Sequence, residues 1–404
     1  MLKQITTLGL VSLAFAVSAC KTAPEPKREL AAVEVSTEER EVYTSPHFDM
    51  SPDIVDLSAQ GEKQIAPYTI GSEAMHLSDV LPVLSSSGGY NQKWEFFIYS
   101  KPYTARIKFE ISNFAFSKNE AKIRGYVKEV DADGNTINEY KISEKYKSDA
   151  WSASKTALNL NFGGEYTLAL KNGVFVIHGK FEKGTFDFEV EPNLWKPGTG
   201  AAYFGNDPEN AFKYSVLTYH KPLRKGIIHL DTGDVEVTGP TYGNHYMTNL
   251  AVYDMFDELA DFRKLTDDLL VEFRYFVPSQ KFEGSPFGYL FVAYDGVPVL
   301  GSSKISRQSV EKWLDDANYN YEIDARQDIY AQDEDNTGVF RILKAKPEGV
   351  DPYADLPGFQ RSVAMRFAKP IEYSIKIDWA LDLNVDGYKA QIPMSGSYSL
   401  TKMR

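Results

Sequence analysis

The 404-residue sequence holds a single cysteine, Cys20. No disulfide can therefore form within one chain, whatever the redox state of its compartment. Beyond the first 20 residues, no apolar run approaches the roughly 20 residues a membrane-spanning helix needs. Positive charge is in deficit: 44 Lys+Arg against 56 Asp+Glu leave a formal charge of −12. That balance argues against nucleic acid as a partner and against attraction to anionic lipid through net charge. The six histidines (His47, His76, His178, His220, His229 and His245) show no metal-ligand spacing, and no Gly-x-Ser-x-Gly elbow occurs. No metal or other cofactor is expected. Asp382-Leu-Asn384-Val-Asp386-Gly387 begins like a calcium loop. Its twelfth position is Pro393, where a bidentate glutamate is needed. An Asp-Gly hairpin turn is the better reading there, and a turn also suits Asp131-Ala-Asp133-Gly134-Asn135.

What is present begins with MLKQITTLGLVSLAFAVSAC. Lys3 supplies a positive start, Leu8 to Val17 an apolar stretch, and Val17-Ser18-Ala19 small residues before a cut. This is the layout of a signal peptide, too short for a permanent span. Val-Ser-Ala-Cys resembles the bacterial lipobox, which implies acylation at Cys20 and cleavage before it. Two or three acyl chains anchor stably where one is marginal. Lys21, being other than Asp, fits sorting to the outer membrane by the pattern of Gram-negative lipoproteins, with the folded part facing the periplasm. Residues 20–69 then read as the acylated cysteine and a flexible tether, since the polar, proline-bearing text from Lys21 onward buries too little to fold alone.

From Trp94 onward the pattern is β. Ile107, Phe109 and Ile111 alternate with Lys108 and Glu110, and Phe186, Phe188 and Val190 alternate with Asp187 and Glu189. Turn signals such as Lys171-Asn172-Gly173 and Asp231-Thr232-Gly233-Asp234 lie between the runs. Short, closely spaced strands joined by tight turns indicate antiparallel barrels or sandwiches. The spacing of Phe256, Leu259, Phe262, Leu265 and Leu269 suggests a helix over residues 255–270. A second short helix is expected over 307–315, a strand over 362–367 and an acidic loop over 329–337. Trp195-Lys-Pro-Gly-Thr-Gly200 interrupts the series, and no sequence repeat relates the halves. The expected organisation is all-β: a leader at 1–19, the tether, and β domains at 70–215 and 216–404, with a few short helices.

The stretch from Trp195 to Met247 resembles the survival-factor family and, more distantly, the bacterial carotenoid 1,2-hydratase (hydroxyneurosporene synthase) family. Gly200, Tyr203, Phe204, Gly205, Pro222, Arg224, Gly226, Ile228, Gly239 and His245 carry the resemblance. It implies two tandem lipocalin-like barrels and an apolar ligand, ceramide-like or isoprenoid. Candidate ligand contacts are His245, Asn244, Tyr242, Trp195, Tyr203, Phe204 and Arg224. The segment from Trp195 to Gly205 is either a linker plugging a barrel end or a lid over a pocket.

Alkene hydration needs a proton donor beside the double bond and a carboxylate to steady the cation. The hydratase-like motif has Asp before the histidine, and here the residue is Asn244, whose amide is no acid. Asp254 and Asp257 are the nearest substitutes in sequence. The expectation is therefore a non-enzymatic, membrane-anchored lipoprotein that binds or transfers a hydrophobic molecule. Two alternatives are a hydratase-like enzyme and an assembly lipoprotein that binds a protein partner.

Overall fold

The computed structural model describes residues 72–73 and 77–403, apart from 114–118, 133, 198–200, 205–209, 267, 283–285, 316–319, 334–335, 352–353, 355–357 and 367–368. Cys20, the leader and the whole tether region at 20–69 lie outside the described residues, as do Gly200 and Gly205.

Alternating apolar residues build two antiparallel sheets. In the first, neighbouring strands run Thr136–Tyr146, Glu120–Val130, Tyr103–Ser112, Asn91–Ile98, Pro240–Thr248, Ala211–Leu230 and Gly184–Val190, continuing through Val174–Phe181 to Trp151–Ala153. In the second, the order is Val297–Ser302, Phe287–Tyr294, Leu269–Pro278, Phe256–Leu265, Tyr388–Lys402, Ile371–Val385, Asn336–Val350, Tyr321–Asp333 and Lys304–Asp315. One sheet curls into a nearly closed barrel and the other into a half-barrel. Tyr140 and Phe181 meet across the first interior at 5.5 Å, while Phe262 and Phe340 meet across the second at 4.8 Å. The all-β, two-barrel expectation holds.

The turns follow from residue type. Asn172-Gly173 (φ 51° and 77°) and Asp386-Gly387 (φ 51° and 82°) each join two directly paired strands. Positive φ at both central residues is what a two-residue hairpin requires, and Asn-Gly or Asp-Gly supplies it cheaply. The calcium-like Asp382–Gly387 text is thus a hairpin, as expected.

The strand Ala211–Leu230 turns a corner. Its first part pairs with Pro240–Thr248, its last part with Gly184–Val190, and register shifts fall between Val216 and Thr218 and between Tyr219 and Pro222. His220 takes φ 53° there. Such irregularities bend a strand and tolerate proline, which cannot donate to the ladder. One consequence concerns the domains. The hairpin after residue 215 remains in the first sheet, and the change of sheet falls between Thr248 and Phe256.

Four local expectations are corrected. Residues 255–270 are not a helix. A single turn, Val252–Met255, leads into strand Phe256–Leu265, and Leu269 opens the next strand. Leu259 faces one buried cluster and Phe262 another, so both faces of this strand are apolar and mimic helical spacing. Residues 307–315 belong to strand Lys304–Asp315, with Trp313 packed on the second barrel's core. The expected acidic loop at 329–337 is a hairpin formed by Tyr321–Asp333 and Asn336–Val350. Just before this span, Asp328 meets Arg341 at 2.8 Å across the paired strands. The expected strand at 362–367 overlaps a helix, Gly358–Ala364, instead.

Three apolar clusters result. One fills the first barrel around Trp94, Phe96, Phe109 and Phe162, and another fills the second around Phe273, Phe340 and Trp379. The third lies between the sheets. Strands Asn91–Ile98 and Pro240–Thr248 are consequently buried on both faces nearly throughout. Gly125 sits inside the first barrel at φ 157°, and a Cβ there would collide with the Arg106 carbonyl. Gly125→Ala is expected to cost about 1–3 kcal/mol through backbone displacement. Urea unfolding checks it: the midpoint should fall with the slope unchanged.

Candidate functional site

The layer between the barrels combines aromatic rings with charge. Trp195 stacks on Phe291 at 4.3 Å and meets Tyr289 edge-on at 5.4 Å. Phe204 packs against Phe256 and Phe282. Both residues are buried in the inter-sheet cluster, although the strands on either side of them belong to the first sheet, so this stretch does not link the barrels in sequence. Tyr203 lies in the short strand Ala201–Tyr203, and its side chain is outside what the structure describes. Arg224 is remote from this layer: it is exposed on the first barrel, 3.8 Å from Glu189.

Glu272 stands at the centre, fully buried, on the second sheet. Tyr214 donates to its Oε1 at 2.7 Å, Tyr242 lies 2.7 Å from both of its oxygens, and Tyr289 donates to Oε1 at 3.1 Å. Arg274 is 3.6 Å from the same carboxyl, 2.5 Å from Asp261, and lies over the Tyr214 ring at 4.2 Å. Tyr214 and Tyr242 come from the first sheet, so Glu272 ties the two sheets together. Burial, with Glu272 adding to it, pushes the Tyr242 hydroxyl well above its ordinary range. Burial does the same for Tyr214 and Tyr289. All three phenols are hydrogen-bond donors at neutral pH.

Asn244 and His245 are adjacent in sequence and point to opposite faces, as successive strand residues must. Asn244 enters the inter-barrel layer and lies 3.4 Å from Glu95 Oε2. The carboxyl beside it is thus Glu95, not Asp254 or Asp257. Burial alone would raise the Glu95 pKa, yet the charges of Arg106, Lys108 and Arg263 outweigh it and hold the pKa at about 2. Arg106 meets Glu95 at 2.6 Å. Glu95 is therefore an ionised acceptor and no proton donor.

His245 faces the first barrel's interior, beside Trp94. Gln92 Oε1 accepts from Tyr90 Oη at 2.8 Å and from the Val83 N–H at 3.0 Å. Its amide nitrogen must then donate to His245 Nε2, 2.9 Å away, leaving the imidazole proton on Nδ1 toward Ser215 at 3.4 Å. Burial lowers the His245 pKa to about 3, so the ring is neutral.

The seam has a half-buried rim on which sequence reasoning was silent. Arg263 lies over Phe97 at 4.0 Å and over Tyr242 at 4.3 Å, with Tyr99 and Tyr126 also half-buried nearby. Arg263 was hidden because its strand read as a helix. Glu272 and Arg274 were hidden because charged residues inside an apolar run look like an exposed strand face.

A different concavity, of about 330 Å³, lies on the second barrel and includes Glu258, Arg307, Lys312, Asp324 and Lys402. Arg307 and Lys402 both bind Glu258. Its charged lining is ill suited to an apolar ligand.

Among solved structures, a Nitrosomonas europaea protein designated AttH is similar at 13% identity and a TM-score of 0.47, covering 82% of this chain and 98% of that one. CghA, solved with Sch210972, is similar at 10% identity and a TM-score of 0.39, covering 83% and 99%. No family model matches the chain, and no curated protein matches its sequence.

Two outcomes follow from the geometry. Glu272→Gln removes the anion on which three hydroxyls and Arg274 converge, and should destabilise by about 3–5 kcal/mol. Tyr242→Phe should cost about 1 kcal/mol. Chemical denaturation of both variants measures this, and equal small losses would contradict the hub role. For His245, the folded pKa of about 3 lies below the unfolded value, so the folded state binds fewer protons between them. Its stabilising contribution is full above about pH 6.5 and declines as pH falls toward 3. From pH 7 to pH 5, the wild type should lose about 2 kcal/mol more than His245→Gln. Denaturation midpoints at the two pH values give the difference directly.

Proposed function

We propose that this chain is a lipid-anchored bacterial lipoprotein of the outer membrane, facing the periplasm. On this reading it captures or transfers a hydrophobic molecule, ceramide-like or isoprenoid, at the seam between its barrels. The observation that carries the reading is the composition of that seam. Aromatic residues from both sheets, Phe97, Tyr214, Tyr242 and Tyr289 among them, surround a few convergent polar groups at Glu272 and Arg274. Ligand sites typically pair mostly apolar walls with a few fixed polar groups in this way. Anchoring is supported by the leader and the lone Cys20.

Binding is favoured over hydration because the groups at the expected acid position, Asn244 and ionised Glu95, cannot supply a proton. Mass spectrometry of the protein isolated from membranes tests both halves of the reading. Acylated Cys20 and a copurifying lipid that exchanges with added lipid are the expected results. An unmodified Cys20 would remove the anchor, and no bound or exchangeable lipid would favour the assembly role with a protein partner.

A further inference from the structure

Among the described residues, the rim of the seam holds cations that no carboxylate pairs with directly. On the first sheet, Glu95, Lys108 and Arg124 stand directly opposite one another on three adjacent strands. Lys108 is buried and Arg124 half-buried. Like charges opposite one another on neighbouring strands repel. Glu95 adjoins Lys108, but it is already engaged by Arg106 at 2.6 Å and by Asn244. From the second sheet, Arg263 also lies within electrostatic reach of Glu95. The carboxylates near Arg263 are committed elsewhere: Glu272 to three tyrosines and Asp261 to Arg274. Among the described residues, Lys108, Arg124 and Arg263 form no ion pair within 4.0 Å.

Charges withdrawn from water are ordinarily paired. Among the described residues no carboxylate pairs with these cations, and they stand beside an aromatic surface on which the Arg263 guanidinium lies flat, over Phe97 and Tyr242. Guanidinium forks suit carboxylate or phosphate oxygens, and a lysine adds a point charge.

We propose that the seam binds an amphiphile with an oxyanion headgroup, carboxylate or phosphate, held by Lys108, Arg124 and Arg263, with its chain lying on Phe97, Tyr99 and Tyr126. The inference rests on the seam being the hydrophobic-ligand site. It narrows that site's ligand from apolar molecules in general to anionic ones. It also reconciles an acidic protein with an anionic ligand, because attraction is local to one rim and independent of net charge.

The test uses residues 21–404 titrated with dodecyl phosphate below its micelle concentration, with dodecanol and with inorganic phosphate, read by calorimetry. Dodecyl phosphate should bind at least tenfold more tightly than either of the others. Arg263→Gln and Lys108→Gln should each reduce that preference tenfold or more. Arg124→Gln, at a half-exposed position, provides a variant whose folding is not at stake and should act in the same direction. Equal affinity for dodecyl phosphate and dodecanol, unaffected by the variants, would overturn the anion site and leave the hydrophobic-ligand reading standing. Binding of neither dodecyl compound would overturn the hydrophobic-ligand reading itself. Inorganic phosphate binding as tightly as dodecyl phosphate would overturn the amphiphile and reduce the site to a simple oxyanion pocket.

Discussion

Two barrels can be tandem without being a unit; what joins these is the convergence of tyrosine hydroxyls from both sheets on one buried glutamate. Glu272 is fully buried, so its oxygens must be met by hydrogen-bond donors. Tyr214 and Tyr242 bring donors from one sheet and Tyr289 from the other, while Arg274 adds charge and is itself held by Asp261. A buried polar group tolerates few arrangements, whereas apolar rings can slide over one another at small cost. The hub therefore fixes how the sheets sit, and the surrounding aromatic packing contributes most of the buried apolar area.

This arrangement explains why the central strands carry residues that look misplaced. A strand covered on one side only shows apolar residues inward and polar ones outward. Strands Asn91–Ile98 and Leu269–Pro278 are covered on both sides, and their second face holds Lys93, Glu95, Glu272 and Arg274 among aromatic residues. Lys93 and Glu110 lie 3.7 Å apart with almost no exposure. Burial drives the Lys93 pKa well down, opposed by the Glu110 charge. These groups add little net stability beyond what apolar residues of similar volume would give. Their retention fits a role in specifying the seam and in presenting charge at its rim.

The sequence made the architecture legible because alternation and turn chemistry are local. Asn172-Gly173 and Asp386-Gly387 announce hairpins through the backbone angles they permit. It misled where burial was two-sided. Phe256–Leu265 alternates between two apolar environments, so its pattern lost the period of two and gained an accidental helical spacing. The aromatic wedge was partly legible: Trp195 and Phe204 enter the seam, while Arg224, chosen with them from the same stretch, stays on the outer surface. No local pattern distinguishes these cases, because the partner rings, from Phe256 to Phe291, lie far along the sequence from Trp195 and Phe204.

The pair Asn244-His245 shows how strand geometry divides what a motif joins. A polar dipeptide in a family-like stretch invites a single site containing both residues. On a strand, one residue must face away from the other. His245 takes a neutral, fully hydrogen-bonded place inside the first barrel, where Gln92 and Ser215 satisfy both ring nitrogens. Asn244 alone reaches the seam, and there it meets a carboxylate already ionised by its cationic neighbours. From Asn244's own face the first sheet brings to the seam Tyr242, Tyr246 and their cross-strand partners Phe97, Glu95 and Lys93. That set offers aromatic surface, hydrogen bonds and fixed charge. It suits holding a molecule of mixed apolar and anionic character better than transferring a proton to one.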